Sequence, residues 1–179
     1  MKTVFLDIDS QLDFLYPAGA LYVPNAERIV PAIARLNRFA AAHGIPVVST
    51  TDAHAENDPE FSVWPPHCVA GTWGQRKAAP TLLDSTSQII VEKQTVDVFL
   101  CPDLVHVIER LNADRYVVYG VVTEICVLSA VRGLLKTGKP VTLVTDAVAA
   151  LTAEASARSL EEVRAAGGTL ATVSEVCVT

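Results

Sequence analysis

Charge is scarce in this chain. Only 19% of its 179 residues are charged, and no block of lysine or arginine occurs along them. With a formal net charge of -6, the usual electrostatic footprint of a nucleic-acid binder is missing. Long apolar runs are missing as well, since none approaches the roughly 20 residues that cross a bilayer. The opening stretch from Met1 to Asp9 is broken by acids too early for a signal peptide. These absences argue against nucleic-acid and membrane partners and leave the cytoplasm as the expected location. Cys68, Cys101, Cys126 and Cys177 are widely spaced with no C-x-x-C pair, so reduced thiols are expected. Internal repeats, low-complexity tracts and linkers are lacking too. Half the residues are apolar, which excludes disorder and suits one domain over residues 1–179.

What the chain does contain is an alternation of short β-branched runs with longer helical patterns. Strands are predicted at residues 3–8, 46–50, 88–91, 115–119, 140–144 and 169–172. Their nearly continuous apolar character suits a parallel sheet buried on both faces. Helices are predicted at 25–42, 102–112, 123–136 and 153–166, with Asn25 as an N-cap. Gly44, Gly138 and the Gly167-Gly168 pair stand as C-terminal stops. The order is that of a doubly wound, mainly parallel, three-layer α/β/α domain with right-handed crossovers. Residues 52–84 break the rhythm. An irregular segment of that length, placed directly after a strand, is expected to carry function.

Asp9, Lys93 and Cys126 each stand at or just past the end of a predicted strand. In an open parallel sheet those ends share one edge, so the three residues can converge. Singly, each has an ordinary reading: a turn aspartate, a solvated lysine, a small buried hydrophobe. Jointly, the carboxylate can take the thiol proton and the ammonium can hold the charge that results. Cys126 also falls where an apolar run gives way to a helical pattern, and the positive end of a helix dipole favours thiolate. The combination predicts a cysteine-nucleophile hydrolase. Two rivals are a thiol redox sensor with Cys68 as partner and a non-catalytic binding module. Neither gives a role to Asp9 and Lys93 together.

A second constellation is Asp52-Ala53-His54, followed by Glu60 and His67. Residues i and i+2 of an extended stretch face the same side. Mixed imidazole and carboxylate ligands suit a divalent ion such as zinc, manganese or iron. His43 and His106 are assigned no function. Phe14 and Trp64 flank these positions and could wall a pocket for a flat ring.

These motifs resemble those of a known family. Asp9-Ser10-Gln11-Leu12-Asp13-Phe14 is similar to the Asp-x-Gln-x-Asp-Phe opening of the isochorismatase-like cysteine hydrolases. Lys93 resembles their central lysine, and Gly120–Val127 their nucleophile motif. Asp52-x-His54 and Trp64-Pro65-Pro66-His67-Cys68 resemble the metal-site motifs of the nicotinamidase/pyrazinamidase branch. The resemblance implies nicotinamide deamidation to nicotinate and ammonia through a thioester on Cys126, with Asp9 as the base. It further implies an oxyanion hole at Val122 and Cys126, entered through a cis peptide between Val121 and Val122. A divalent ion at Asp52, His54, Glu60 and His67 would orient the ring, and Phe14, Trp64 and Val121 would line the substrate pocket. Phe99 and Leu100 fall where a tyrosine can line that pocket in relatives. The alternative is hydrolysis of another small amide or ureide. Family members are often dimers or tetramers, so a homo-oligomer is left open.

Overall fold

A computed structural model of the chain describes residues 1–84 and 87–178. Its frame is six strands: β1 (Thr3–Ile8), β2 (Val47–Asp52), β3 (Gln88–Lys93), β4 (Arg115–Val121), β5 (Val141–Ala149) and β6 (Thr169–Ala171). They form one parallel sheet in the order β3-β2-β1-β4-β5-β6. All six residues of β1 and of β2 are buried, as befits central strands covered on both faces. The helices are α1 (Leu12–Leu15), α2 (Val30–Ala42), α3 (Pro102–Leu111), α4 (Leu128–Lys136), α5 (Ala153–Ala165) and α6 (Val173–Val176).

Alternation along each strand divides the core in two. Leu6, Val118 and Leu143 face Leu104, Val131 and Leu134 of α3 and α4. Phe5, Val117 and Tyr119 face Ile33 and Leu36 of α2 on the opposite side. Neighbouring residues of one strand thus serve different layers, giving the three-layer α/β/α architecture. Among the described residues, no helix is long and apolar enough to cross a membrane.

Strand order reverses between β1 and β4, the topological switch point at which doubly wound sheets bind ligands. The two strands approach closely there. A Cβ on Gly120 would lie 2.0 Å from the Ile8 carbonyl oxygen, and its φ of +120° is one that side chains rarely adopt. Glycine is required at that position.

Several boundaries differ from the sequence-based expectation. β2, β3 and β4 each run two residues further, to Asp52, Lys93 and Val121, and β5 continues to Ala149. The predicted helix at 25–42 begins instead as a 3-10 turn (Ala26–Ile29), and α2 proper starts at Val30. Asn25 stands at the N-cap position of that turn, but its backbone is left-handed and its side chain makes no capping bond. The Tyr22 hydroxyl accepts from the Asn25 N–H at 2.9 Å and donates to Glu27 at 2.7 Å, tying that turn together instead. The helix predicted at 123–136 opens with a π-helical turn, Thr123–Val127, before α4.

Candidate active site

Asp9 follows β1 directly, with a left-handed φ of +49°. Its N–H donates to the Thr50 carbonyl at 3.1 Å, and the Thr50 hydroxyl donates to its Oδ1 at 2.7 Å. Lys93 ends β3, and its Nζ lies 2.9 Å from Asp9 Oδ2, 2.5 Å from Asp52 Oδ1 and 3.8 Å from Cys126 Sγ. The contact with Asp9 is an ion pair, and among the described residues Asp9 Oδ2 has no other hydrogen-bond partner. Cys126 lies in the π-helical turn beyond β4, across the switch point from Asp9. The three residues far apart in sequence are therefore brought together.

One buried ammonium is thus shared by two carboxylates and a thiol. Burial opposes charge on Lys93, but Asp9, Cys126 and Asp52 outweigh it and raise its pKa well above the usual lysine value. Burial also raises Asp9, with Lys93 pulling the other way and Asp52 adding to the rise. Asp52 moves oppositely: burial would raise it, but Lys93 and His54 hold it below the usual range. Burial lifts the Cys126 thiol well above its ordinary pKa, Lys93 opposes this, and Asp9 and Asp52 add to it. Burial therefore favours the thiol form of Cys126, against the helix-dipole effect that favours thiolate. Desolvation outweighs the end of a short helical turn, so the proton needs a base. Asp9, the carboxylate of raised pKa, has the matching character.

Beside this group lies a second. Asp52 Oδ2 is 3.8 Å from His54 Nε2 and 4.0 Å from His67 Nε2. The three ligand atoms all fall within 4.8 Å of one another, close enough for one ion to touch them all. Among the described residues His54 Nε2 is buried with no hydrogen-bond partner, an orphan that a metal bond would satisfy. Both rings are oriented from behind. His54 Nδ1 meets Asp58 Oδ2 at 3.0 Å, and His67 Nδ1 meets the Pro65 carbonyl at 2.8 Å. A carbonyl only accepts, so His67 Nδ1–H is the donor and Nε2 is the atom turned toward Asp52. Burial opposes charge on His54, but Asp52 and Asp58 raise its pKa to about 9, so an ion must displace a proton there. The donor set fits a divalent metal. Glu60 lines the neighbouring pocket, while its carboxylate is not among the three clustered atoms.

Asp9, Asp52, His67 and Cys126 open into one pocket of about 430 Å³, counting its mouth. Phe14, Trp64, Val121 and Val122 line it, together with Leu21, Val23, Val96, Ile125 and Leu151. The apolar walls suit a flat ring. Phe99 and Leu100 do not line it, contrary to expectation. Phe99 packs against the notch left by Gly133, Leu100 is exposed, and Val96 supplies the wall. The peptide between Val121 and Val122 is cis.

Other residues hold the site in place, Gln11 and Asp13 of the Asp9–Phe14 motif among them. Gln11 is fully buried; its Oε1 accepts from the Asp52 N–H at 2.7 Å, and its Nε2 donates to the Asp52 carbonyl at 2.8 Å. Asp13 accepts from the Cys68 N–H at 2.7 Å, and Phe61 packs 5.4 Å from His54 and 5.7 Å from His67, ring centre to ring centre. Cys68 itself is buried, its thiol pushed far up by burial, and all four cysteines are free. That is a poor environment for a redox partner.

A doubly wound parallel domain carrying a buried thiol, carboxylate and ammonium at its switch point is an arrangement suited to a hydrolase. The chain belongs to the isochorismatase family, whose Isochorismatase domain matches residues 3–175. The nicotinamidase/pyrazinamidase of Mycobacterium tuberculosis is 28% identical over 176 residues, covering 89% of this chain and 92% of that protein. The crystal structure of a Pyrococcus horikoshii pyrazinamidase in complex with zinc superposes with a TM-score of 0.89 at 30% identity, covering 96% of this chain and 99% of the other. A nicotinamidase/pyrazinamidase from Bacillus subtilis also gives 0.89, at 25% identity, with 96% and 100% covered. This kinship supports a hydrolase.

Proposed function

We propose that the chain is a nicotinamidase-like amidohydrolase that converts nicotinamide to nicotinate and ammonia. The observation that carries this reading is the opening of the Asp9–Cys126 pair and the Asp52/His67 side of the metal cluster into one pocket with apolar walls. The relatives named nicotinamidase and pyrazinamidase support it.

In the proposed reaction Asp9 takes the Cys126 proton as sulfur bonds to the carboxamide carbon, and the carbonyl electrons move to oxygen. Backbone N–H groups of Val122 and Cys126 hold that oxyanion; such a donor is worth on the order of a hundredfold or more in rate. The C–N bond then breaks, Asp9 returns its proton to nitrogen, and ammonia leaves a thioester on Cys126. Water gives a proton to Asp9 and attacks the thioester. The C–S bond breaks, sulfur recovers the proton, and the acid departs. Lys93 keeps its charge throughout and balances whichever neighbour is anionic. A zinc, manganese or iron ion held by Asp52, His54 and His67, with Glu60 beside them, would supply Lewis acidity toward the ring nitrogen. Phe14, Trp64 and Val121 wall the ring, and Glu60 and Val96 stand at its edge.

On this reading residues 1–179 act as one cytoplasmic hydrolase domain with a small carboxamide as its partner. The test is ammonia release from nicotinamide and pyrazinamide by metal-replete and EDTA-stripped protein. Turnover that vanishes on stripping and returns with a divalent ion supports the proposal. A folded, metal-loaded protein inert to both amides would refute it. The replacement of an aromatic pocket wall by Val96 would then favour a different small amide or ureide.

A further inference from the structure

A second buried ion pair lies beneath the site, and the chemistry above does not use it. Lys77 Nζ reaches Asp7 Oδ2 at 2.5 Å and also contacts Ser10 Oγ. Asp7 is fully buried in β1, two residues before Asp9, and Ser10 is the residue after it. Asn37 of α2 donates to the same Asp7 oxygen at 2.8 Å and to the Thr81 carbonyl at 2.7 Å, and it accepts from Tyr119 of β4 at 2.5 Å. One carboxylate therefore gathers β1, α2, β4 and the far arm of the segment that carries His54 and His67.

That arm is zipped onto the turn that bears Asp9. Gln11 and Lys77 form an antiparallel bridge. The Ala78 N–H donates to the Ser10 carbonyl at 2.9 Å, Leu12 N–H to Arg76 at 2.9 Å, and Asp13 N–H to Gly74 at 3.1 Å. Gln11 Nε2 donates to the Gln75 carbonyl at 2.7 Å while its amide also holds the backbone of Asp52. Lys77 brings a buried charge to these zipper contacts, and it touches the residue next to the proposed base.

Stability does not account for such a pair. Withdrawing two charges from water is costly, and well-packed apolar residues of similar volume usually serve a fold at least as well. A buried ion pair does fix one arrangement, because an ammonium displaced from its carboxylate has nowhere else to go. We propose that Lys77, through Asp7 and Ser10, is a positioning residue: it sets the orientation of Asp9 toward Cys126. The inference rests on the assignment of Asp9 as base to Cys126, and not on the identity of the amide.

The test uses two variants and a readout independent of substrate. Ser10→Ala removes the link to Lys77 without stranding a charge. Asp7→Val/Lys77→Met replaces the pair by apolar groups of similar size. Both are compared with the wild-type protein for unfolding midpoint, kcat and KM on nicotinamide, and the rate at which iodoacetamide alkylates Cys126. The expected result is near-native stability with kcat and alkylation reduced, about tenfold in Ser10→Ala and up to about a hundredfold in the double variant, and KM little changed. Stable variants with wild-type kcat and wild-type alkylation overturn the proposal. If the double variant does not fold, Ser10→Ala decides alone. If the wild-type protein hydrolyses neither nicotinamide nor pyrazinamide, the alkylation rates still decide: slowed alkylation keeps the clamp while the substrate reading falls, and unchanged alkylation removes it.

Discussion

Lys93 and Asp52 are register partners at the ends of β3 and β2, and the ammonium of one lies 2.5 Å from the carboxylate of the other. The same ammonium is 2.9 Å from Asp9. One lysine therefore joins the proposed acid–base centre to the proposed metal centre. Lys93→Met would leave two buried carboxylates facing each other without a cation. Stability should fall by about 3–5 kcal/mol, the usual result of breaking a buried pair from one side. Urea unfolding and activity measured together check this. A variant of native stability that still turns over would show that the two carboxylates do not need a shared cation.

The acid limb of activity should reveal Asp9. A protonated Asp9 cannot accept the thiol proton, so kcat/KM falls as pH drops through its pKa. Burial raises that pKa. The fall should therefore begin at a higher pH than for an ordinary aspartate, whose pKa is about 3.9. Asp9→Asn should lose about 100- to 10,000-fold in kcat, because an amide cannot act as the base. A full pH profile on wild type and a single-point assay on the variant are enough. A limb at or below the ordinary value, or an active Asp9→Asn, would assign the base elsewhere.

Cys126→Ala should abolish turnover while metal content stays native and stability changes by about 1 kcal/mol, because only a small buried group is lost. Acid-quenched mass spectrometry of the wild-type protein during turnover should find the acyl group on Cys126. Hydrolysis retained by Cys126→Ala would remove the thioester from the scheme.

How much of this was legible in sequence follows from what each residue does. The apolar runs of β1 and β2 announce themselves because every residue in them is buried. The strand ends do not. Asp52 and Lys93 look like the close of an apolar run, yet their backbones still pair in the sheet while their side chains turn to the site. Asp9, Cys126 and His54 were visible as reactive types at or just past strand ends, and His67 as an imidazole in the irregular segment that follows β2. Thr50 and Lys77 act through partners 41 and 70 residues away, so nothing local marks them. The wall residue was misplaced because motif spacing fixes position along the chain and not the direction in which a short 3-10 turn points its side chains. Phe99 found the Gly133 notch, and Val96 was left facing the pocket.

Asp58 is a residue of the unmarked kind with a measurable role. It holds His54 Nδ1 at 3.0 Å, and its Oδ1 accepts from the Glu60 N–H at 2.9 Å. Removing a carboxylate that orients a metal-ligating histidine typically weakens metal binding about 10–100-fold. Asp58→Ala should do so, read by competition against a chromophoric chelator, with the fold intact. His54→Ala should lose more of the metal and raise KM more than it lowers kcat. Native metal affinity in both variants would place the ion elsewhere.

The notch at Gly133 offers a test of the pocket from outside it. A Cβ there would lie 2.1 Å from Phe99 Cδ2, so alanine must displace the ring. Overpacking of this kind typically costs about 1–3 kcal/mol. Phe99 belongs to the short turn Val98–Leu100, which Asp97 caps and which Ser129 of α4 meets through a 3.2 Å bond to the same aspartate. Moving the ring shifts that turn and, two residues earlier, Val96. Gly133→Ala should therefore raise KM several-fold while leaving kcat within about twofold, because Asp9, Lys93 and Cys126 are held by β1, β3 and the turn after β4 rather than by Phe99. Steady-state kinetics on a ring carboxamide separates the two constants. A loss confined to kcat would mean that the strain passes along α4 to Cys126 and that Val96 is not a wall the substrate feels.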